Sequence, residues 1–370
     1  MLRSALLLCL FLIALACSSD AGSSAAGDAS ADVLLETGLD AEVGSDAPDG
    51  DSGSTIPDET AAPTIYAQMC ASDETGITPV AWPDSTKFSL SVYHFNLQYV
   101  AGGIKDFLNQ PELSDAELHD LIISESFEPL VAIFERNPGW GGSFEMQGLF
   151  LEVLAERFPE LLLRFGRLVR SGQVDLMSFH YSDQLYLAYP YRDQKWSWDR
   201  NARILDGLCL PPSPAFFTQE GQYGQGMVDF ITEHNGGIAI LPRNLLGFNV
   251  GAAKPTALWF DRDGSPVITT DGHEDAATGW GLRWNFVDDA ELLCTGGINP
   301  YFPEAFLANE DAIADYEAKL QAHTDDGYLV TTIREYRRQL EAQAIPRVDL
   351  APVHDGQWQS DAGDNLFQWM

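Results

Sequence analysis

The chain has 370 residues, with 55 acidic against 21 basic side chains and a net charge of −34. A surface this negative repels phosphate backbones and anionic headgroups, which excludes direct binding to nucleic acid or to a membrane surface. With 45% hydrophobic residues the chain can still build a large core.

Met1-Leu2-Arg3 gives a small positive start, and residues 5–16 are apolar and uncharged. That run is too short to span a bilayer, which takes ~20 residues. Its length and small-residue exit predict a secretion signal over residues 1–16. The exit reads Ile13-Ala14-Leu15-Ala16-Cys17, which resembles a bacterial lipobox and implies that Cys17 is lipidated and becomes the new N-terminus. Ser18 after the cysteine resembles the outer-membrane sorting pattern of Gram-negative lipoproteins. The expectation is an exported protein whose only membrane contact is its lipid anchor.

Residues 18–62 hold eleven acidic residues and no Lys or Arg among Ser, Gly and Ala. Such a stretch buries too little apolar area to offset its chain entropy, and its like charges extend it. Residues 17–62 therefore read as a disordered acidic tether. From Pro63 onward 44 acidic and 20 basic residues remain, a charge of about −24, which suits a neutral substrate. Residues 63–370 are enough for one α/β barrel. Beyond Cys17 the domain has Cys70, Cys209 and Cys294. An oxidising compartment allows one disulfide and one free thiol, and sequence does not choose the pair. The spacings do not suggest a zinc cluster.

The predicted elements alternate. Phe88–Phe95 is β-branched and aromatic and reads as the first strand. Asp115–Ser126 has helical spacing, Phe127–Phe134 reads as the next strand, and Phe144–Phe158 and Pro159–Ser171 as amphipathic helices, the second closed by Gly172. Val174–Phe179 is a strand, Phe216–Gln219 a short strand, residues 226–235 a helix, and Ile238–Leu241 a buried strand. Ala305–Ala322 and Thr331–Ala344 are late helices. Alternation of this kind predicts a mostly parallel sheet with covering helices, as an irregular (β/α)7-type barrel. No G-x-G-x-x-G opens a helix after the first strand, which argues against a dinucleotide fold.

In such barrels chemistry sits at the C-terminal ends of strands. Polar residues gather at those places: His94, Asn96 and Gln98; then Asn137, Trp140 and Glu145; then His180, Tyr181, Asp183 and Gln184; then Gln219, Glu220 and Gln222. Trp140, Trp196, Trp198, Trp280 and Trp284 lie in glycine- or charge-rich segments, where aromatic faces could stack on pyranose rings. Gly139-Trp140-Gly141-Gly142 and Gly279-Trp280-Gly281 read as the best ligand loops, because glycine lets the backbone approach a ligand.

Over residues 85–370 this order resembles the N-terminal catalytic barrel of family-57 glycoside hydrolases, and more distantly family-38 mannosidases and polysaccharide deacetylases. Tyr93-His94-Phe95-Asn96-Leu97-Gln98 resembles the His-bearing first motif without its His-Gln-Pro run. Glu145-Met146-Gln147 resembles the Glu segment after a strand, and Gly172-Gln173-Val174-Asp175-Leu176 followed by His180 resembles a G-x-V-E-L…H motif. Phe217-Thr218-Gln219-Glu220-Gly221-Gln222-Tyr223 resembles the W-x-P-E-x-x-Y nucleophile motif, with Thr218-Gln219 replacing the usual residues. Phe286 through Leu292 resembles the later D-A-E motif. The resemblance implies a retaining glycosidase or glucanotransferase acting on an α-linked glycan. Glu220 is then the nucleophile and Asp289 the acid/base, with Asp271 and Asp275 as rivals for the second role. His94, Gln98, Trp140, Glu145, His180, Tyr223 and Trp280 would bind substrate.

Retention requires two carboxyl groups ~5–5.5 Å apart with pKa values pushed apart. The altered motifs keep open a non-catalytic glycan-binding barrel. A metal-dependent deacetylase fits less well, since no T-F-D-D or H-x-x-x-H occurs and His94-Phe95-Asn96 replaces His-x-Asp. No cofactor or metal is expected, and no G-x-S-x-G elbow is present.

Overall fold

The computed structural model describes residues 64–71, 76–97, 112–182, 189–217, 230, 233–234, 237–241, 259–260, 266–270, 272–275, 279–287, 312–343 and 348–349. They belong to one compact unit, Thr60–Met370. In chain order the elements are α1 (Ile65–Ala71), β1 (Lys87–Phe95) and α2 (Asp115–Ile122), which runs through a π-turn at Ile123–Phe127 into α3 (Glu128–Arg136). Then come β2 (Gly142–Met146), α4 (Gly148–Arg157), α5 (Pro159–Arg170), β3 (Val174–Met177), α6 (Tyr191–Gly207), β4 (Ala215–Phe216), β5 (Ile238–Leu241), β6 (Trp259–Phe260) and β7 (Pro266–Thr269). The last are β8 (His273–Asp275), β9 (Trp280–Val287), α7 (Ala312–Asp325), β10 (Leu329–Thr331), α8 (Ile333–Ala342) and β11 (Val348–Asp349).

Seven of these strands run parallel in two arcs. One arc is β9-β1-β2-β3 and the other is β4-β5-β7. β10 pairs with the first half of one edge of β1, and β2 pairs with the second half. β8 and β6 add antiparallel partners to β9 and β7. This is the parallel, helix-covered architecture that the alternating pattern predicts.

The period of two along β1 sorts its side chains. Tyr93 and Phe95 join a core between sheet and helices, with Phe127, Phe134, Phe144 and Phe165. Phe88, Leu90 and Val92 face the other way, toward Met177, Ala215, Phe217, Ile238, Ile240, Ile268 and Leu282. That second cluster draws on both arcs and fills the barrel interior. Ile333, Tyr336 and Leu340 of α8 belong to it too, and Tyr336 meets Phe88 edge-on at 5.0 Å. Because Phe88 is near the start of β1, α8 closes the N-terminal end of the barrel.

Two expected elements are corrected. Phe127–Phe134 is helical, not a strand: Glu128–Arg136 carries Pro129 in its first turn and buries Leu130, Val131, Ile133 and Phe134. The helix predicted from Phe144 starts at Gly148, and Gly142–Met146 is the second strand, buried throughout. α5 ends as expected, with Gly172 at φ 76° and Gln173 N donating to Leu168 O at 3.1 Å. Cys70 and Cys209 form a disulfide joining α1 to the end of α6, 139 residues apart. Cys294 lies outside the described residues.

Candidate active site

Alternation carries the inner face of β1 from apolar to polar. After Phe88, Leu90 and Val92, the next inward positions are His94 and Asn96. β2 lies in register beside it, with His94 opposite Glu145. Its inward positions are Ser143, Glu145 and Gln147. β3 ends at Met177, and three residues later His180 completes the group. The backbone there is fixed by Gly148 N and Leu149 N, which donate to His180 O at 3.0 Å and Tyr181 O at 2.9 Å.

Glu145 has no exposed surface, and His94 and His180 are nearly as buried. Its two oxygens are shared between two rings: His94 Nδ1 donates to Oε2, and His180 Nε2 donates to Oε1 at 2.6 Å. An ionised carboxylate only accepts, so both facing ring nitrogens carry hydrogen. Burial pushes the Glu145 carboxyl up, but the His94 charge and the His180 hydrogen bond outweigh it and hold its pKa at about 2. One step further out, Gln147 Nε2 donates to Asn96 Oδ1 at 2.8 Å, a second cross-strand pair. His180 Nδ1 and Gln147 Oε1 are buried with no hydrogen-bond partner among the described residues. Two such atoms at neighbouring strand ends are costly for stability and could be met by a ligand or water entering there.

The second arc reaches the same end of the barrel. Phe217, just past β4, puts its ring 6.2 Å from that of His94, at 71°. The end of β9 is level with the end of β1, with Val287 opposite Tyr93.

The sequence candidates divide accordingly. His94, Glu145 and His180 come together, and the buried Glu145 carboxylate holds one histidine ring on each of its oxygens. Trp140 precedes β2 and sits at the opposite end of the barrel, 7% exposed in the helix-side core, so it offers no stacking face. Its glycine neighbours serve close packing: a Cβ on Gly141 would meet Trp82 at 2.8 Å and Gln173 O at 2.9 Å. Trp280 opens β9, next to the position opposite Lys87. It packs on Phe88 at 5.3 Å, again at the closed end. Asp275 is the β8 partner of Trp280, which the β1–β9 register places level with residue 86, so its backbone lies eight strand positions, roughly 26 Å, from His94. That separation removes it as an acid/base beside this cluster. Gln98, Asp183, Gln184, Glu220, Tyr223, Asp271 and Asp289 lie outside the described residues, as does Cys17. Among the described residues no group of three or more His, Cys, Asp or Glu has the arrangement of a metal site.

No protein-family model matches the chain, and no curated protein matches it in sequence. Solved structures do match. The 4-alpha-glucanotransferase from Thermococcus litoralis aligns at TM-score 0.50 and 13% identity, covering 71% of this chain and 41% of that one. The GH57-type branching enzyme from Pyrococcus horikoshii aligns at 0.49 and 10%, covering 72% of each. An alpha-mannosidase from Enterococcus faecalis aligns at 0.45 and 13%, covering 71% and 30%. These likenesses concern the fold. The chain has an irregular (β/α)7-type barrel fold. More particularly, it is similar in fold to part of the Thermococcus glucanotransferase, of whose length this chain spans about two fifths.

Proposed function

We propose that this chain is a carbohydrate-active enzyme, exported and held to the outer membrane by lipid on Cys17, that cleaves or transfers α-linked glycans with retention. The observation that carries this reading is the buried His94–Glu145–His180 cluster on the inner face of adjacent strand ends. Glu145 fixes both imidazoles, and the strand-end floor they form suits recognition of sugar hydroxyls.

The catalytic pair would come from the segments that leave neighbouring strands at the same end. Glu220 follows Phe217 by three residues, and Phe217 already touches the ring of His94. Asp289 follows Val287 by two, and Val287 is level with Tyr93. Asp271 follows Thr269, the last residue of β7, and stays a rival for the second role. In the proposed mechanism the Glu220 carboxylate attacks the anomeric carbon as the glycosidic C–O bond breaks. Asp289 gives its proton to the leaving oxygen, then takes one from the incoming water or sugar hydroxyl, whose oxygen bonds to the anomeric carbon as the bond from that carbon to Glu220 breaks. The Cys70–Cys209 disulfide supports an oxidising, extracytoplasmic location.

The test is turnover of an α-glucan panel by the wild type and Glu220→Gln, with the product anomer read by NMR. Loss of turnover on substitution and a retained anomer are expected. Equal turnover by both would remove Glu220 from the mechanism, and binding without turnover in both would leave a glycan-binding barrel. Cys17→Ala should release the protein from the membrane fraction.

A further inference from the structure

The outer face of β9 carries a second polar assembly. Leu282 and Trp284 pack with the inner cluster, so alternation turns Arg283 and Asn285 outward, toward α7. Between this face and α7, bordered by β8, lies a cleft of about 390 Å³ lined by Glu274, Arg283, Asn285, Lys319 and His323 among others. Small-molecule sites have this size. The cleft lies on the side of the barrel wall opposite the inward-facing His94 and Glu145.

Its floor is a buried hydrogen-bond network with one atom left over. Asn285 is 4% exposed. It shares its amide hydrogens among Ser89 Oγ at 3.3 Å, Leu90 O at 3.3 Å and Ser91 Oγ at 3.2 Å. Its Oδ1 is buried with no hydrogen-bond partner among the described residues, which costs stability unless a hydroxyl or water reaches it. Ser89 Oγ lies 2.8 Å from His323 Nδ1. Burial, then the charges of Arg283 and Lys319, holds the His323 pKa at about 4, so at pH 7 the ring is neutral and carries one hydrogen. The Ser89 hydroxyl has no other acceptor among the described residues, so it donates to Nδ1. The ring hydrogen is then on Nε2, a donor left for the cleft.

The charges here are matched except at one position. Arg283 pairs with Asp326 at 2.8 Å and lies 4.1 Å from the centre of the Tyr328 ring. Glu274 accepts the Tyr328 hydroxyl on Oε1, which leaves Oε2. Among the described lysines, Lys87 rests on Tyr328 and Lys195 pairs with Asp199. Lys319 has neither a hydrogen bond nor an ion pair among the described residues. The surrounding protein lowers its amine from the usual range, and no carboxylate opposes this. On a chain with 55 acidic and 21 basic residues, an ammonium without a carboxylate beside it is the group that an anionic ligand would meet.

We propose that this cleft binds a sugar acid, a ligand with one carboxylate and several hydroxyls. The carboxylate accepts from Lys319 Nζ and His323 Nε2. Hydroxyls donate to Asn285 Oδ1 and Glu274 Oε2. A bare anion would leave both acceptors unmet and be repelled by Glu274, and a neutral sugar would leave Lys319 unmet. The site is independent of the cleavage reaction proposed above.

Isothermal titration calorimetry of the full chain with D-glucuronate, D-glucose and acetate tests this. Glucuronate should bind saturably, with glucose and acetate each roughly tenfold weaker, the effect of one missing group of contacts. Lys319→Met should erase the preference for glucuronate over glucose, and Lys319→Arg should restore most of it. Lys319 has no partner to lose, so both variants should melt like wild type by circular dichroism. Glu220→Gln should bind glucuronate as wild type does. Loss of binding in Glu220→Gln would move the ligand to the strand-end site and overturn the cleft. Acetate or glucose binding as tightly as glucuronate would overturn the sugar-acid assignment. Undiminished glucuronate binding by Lys319→Met, or no saturable binding by the wild type, would overturn the site itself while leaving the proposed reaction untouched.

Discussion

Glu145→Gln is the most informative single change in this molecule. In the native protein two ring N–H groups point at two carboxylate oxygens, all inside a site with no exposed surface at Glu145. An amide keeps one acceptor and replaces the other with an NH2 that faces an imidazole donor. One charge-assisted hydrogen bond is lost, worth about 1.5–3 kcal/mol, and a buried donor is left facing a donor. The combined cost should be about 3–5 kcal/mol, typical of breaking a buried ion pair from one side. The pH dependence supplies a signature that simple loss of packing would not give. Glu145 titrates near 2 when folded and near ~4.3 when unfolded. A depressed carboxyl contributes stability above its unfolded pKa and loses it as pH falls toward the folded value. Between pH 5 and pH 2 the wild type should therefore lose about 3 kcal/mol that Glu145→Gln has already lost. Urea unfolding at several pH values measures both numbers. A cost under about 1 kcal/mol at pH 7, with parallel acid limbs, would refute the bridging role assigned to Glu145.

Reduction of the Cys70–Cys209 disulfide, or Cys70→Ser, should lower stability by up to about 5 kcal/mol, because the bond closes a loop of 139 residues; thermal melts with and without reductant test this. Gly148→Ala should cost about 1–3 kcal/mol. Its Cβ would stand 2.4 Å from Asn201 Oδ1, and Asn201 is itself buried and bonded to Ser178 at 3.2 Å. Gly139→Ala, with nothing within 4 Å of the new Cβ, should stay within about 0.5 kcal/mol of wild type in the same denaturation assay. Arg334→Ala should cost about 1–2 kcal/mol at pH 7, because it removes the guanidinium and its Nε bond at 3.2 Å from the buried Asp175 carboxylate, while the backbone N–H of residue 334 stays bonded to it. Burial already raises the Asp175 pKa, against the lowering effect of Arg334. Without the arginine the group protonates earlier as pH falls. The cost should therefore shrink toward pH 4 in pH-dependent melts, and a constant cost would contradict this account.

The sequence made the barrel legible because its signals were local and periodic. β1 alternates cleanly, α5 ends on a glycine in the left-handed region, and β3 is a short buried run after that glycine. The same alternation put His94, Asn96 and Glu145 on the strand-end inventory. What they do there was not legible, because it depends on register between strands 51 residues apart. Glu145 reads as a sugar ligand, and only the structure shows that His94 and His180 each hold one of its oxygens. Phe127–Phe134 was misread because its apolar, β-branched content imitates a buried strand. Its helical cues were Pro129 and the buried spacing at 130, 133 and 134. Trp140 and Trp280 were misread for a different reason. Flanking glycines suggested ligand loops, yet Gly281, like Gly141, has no room for a Cβ, which would lie 2.9 Å from the Tyr328 hydroxyl. Glycine allows close approach to any backbone neighbour, and here the neighbour is protein.

The acidity of the chain makes carboxylates poor clues one at a time, and the fold sorts them by what already holds them. Among the described residues, two carboxylates are buried on strands of the barrel wall, Glu145 and Asp175. Glu145 is hydrogen-bonded by two histidines at the open end, and Asp175 is paired with Arg334 at the end that α8 closes. Both are buried and already hydrogen-bonded, which keeps them from the open surface where an anomeric carbon would be attacked. Under the retaining mechanism proposed above, the pair comes from the sequence that follows β4, β7 and β9, which holds Glu220, Asp271 and Asp289. Under that proposal the buried Glu145 sets the geometry and the carboxylates after the strands carry the bond changes, so Glu145→Gln should act on folding and Glu220→Gln on kcat.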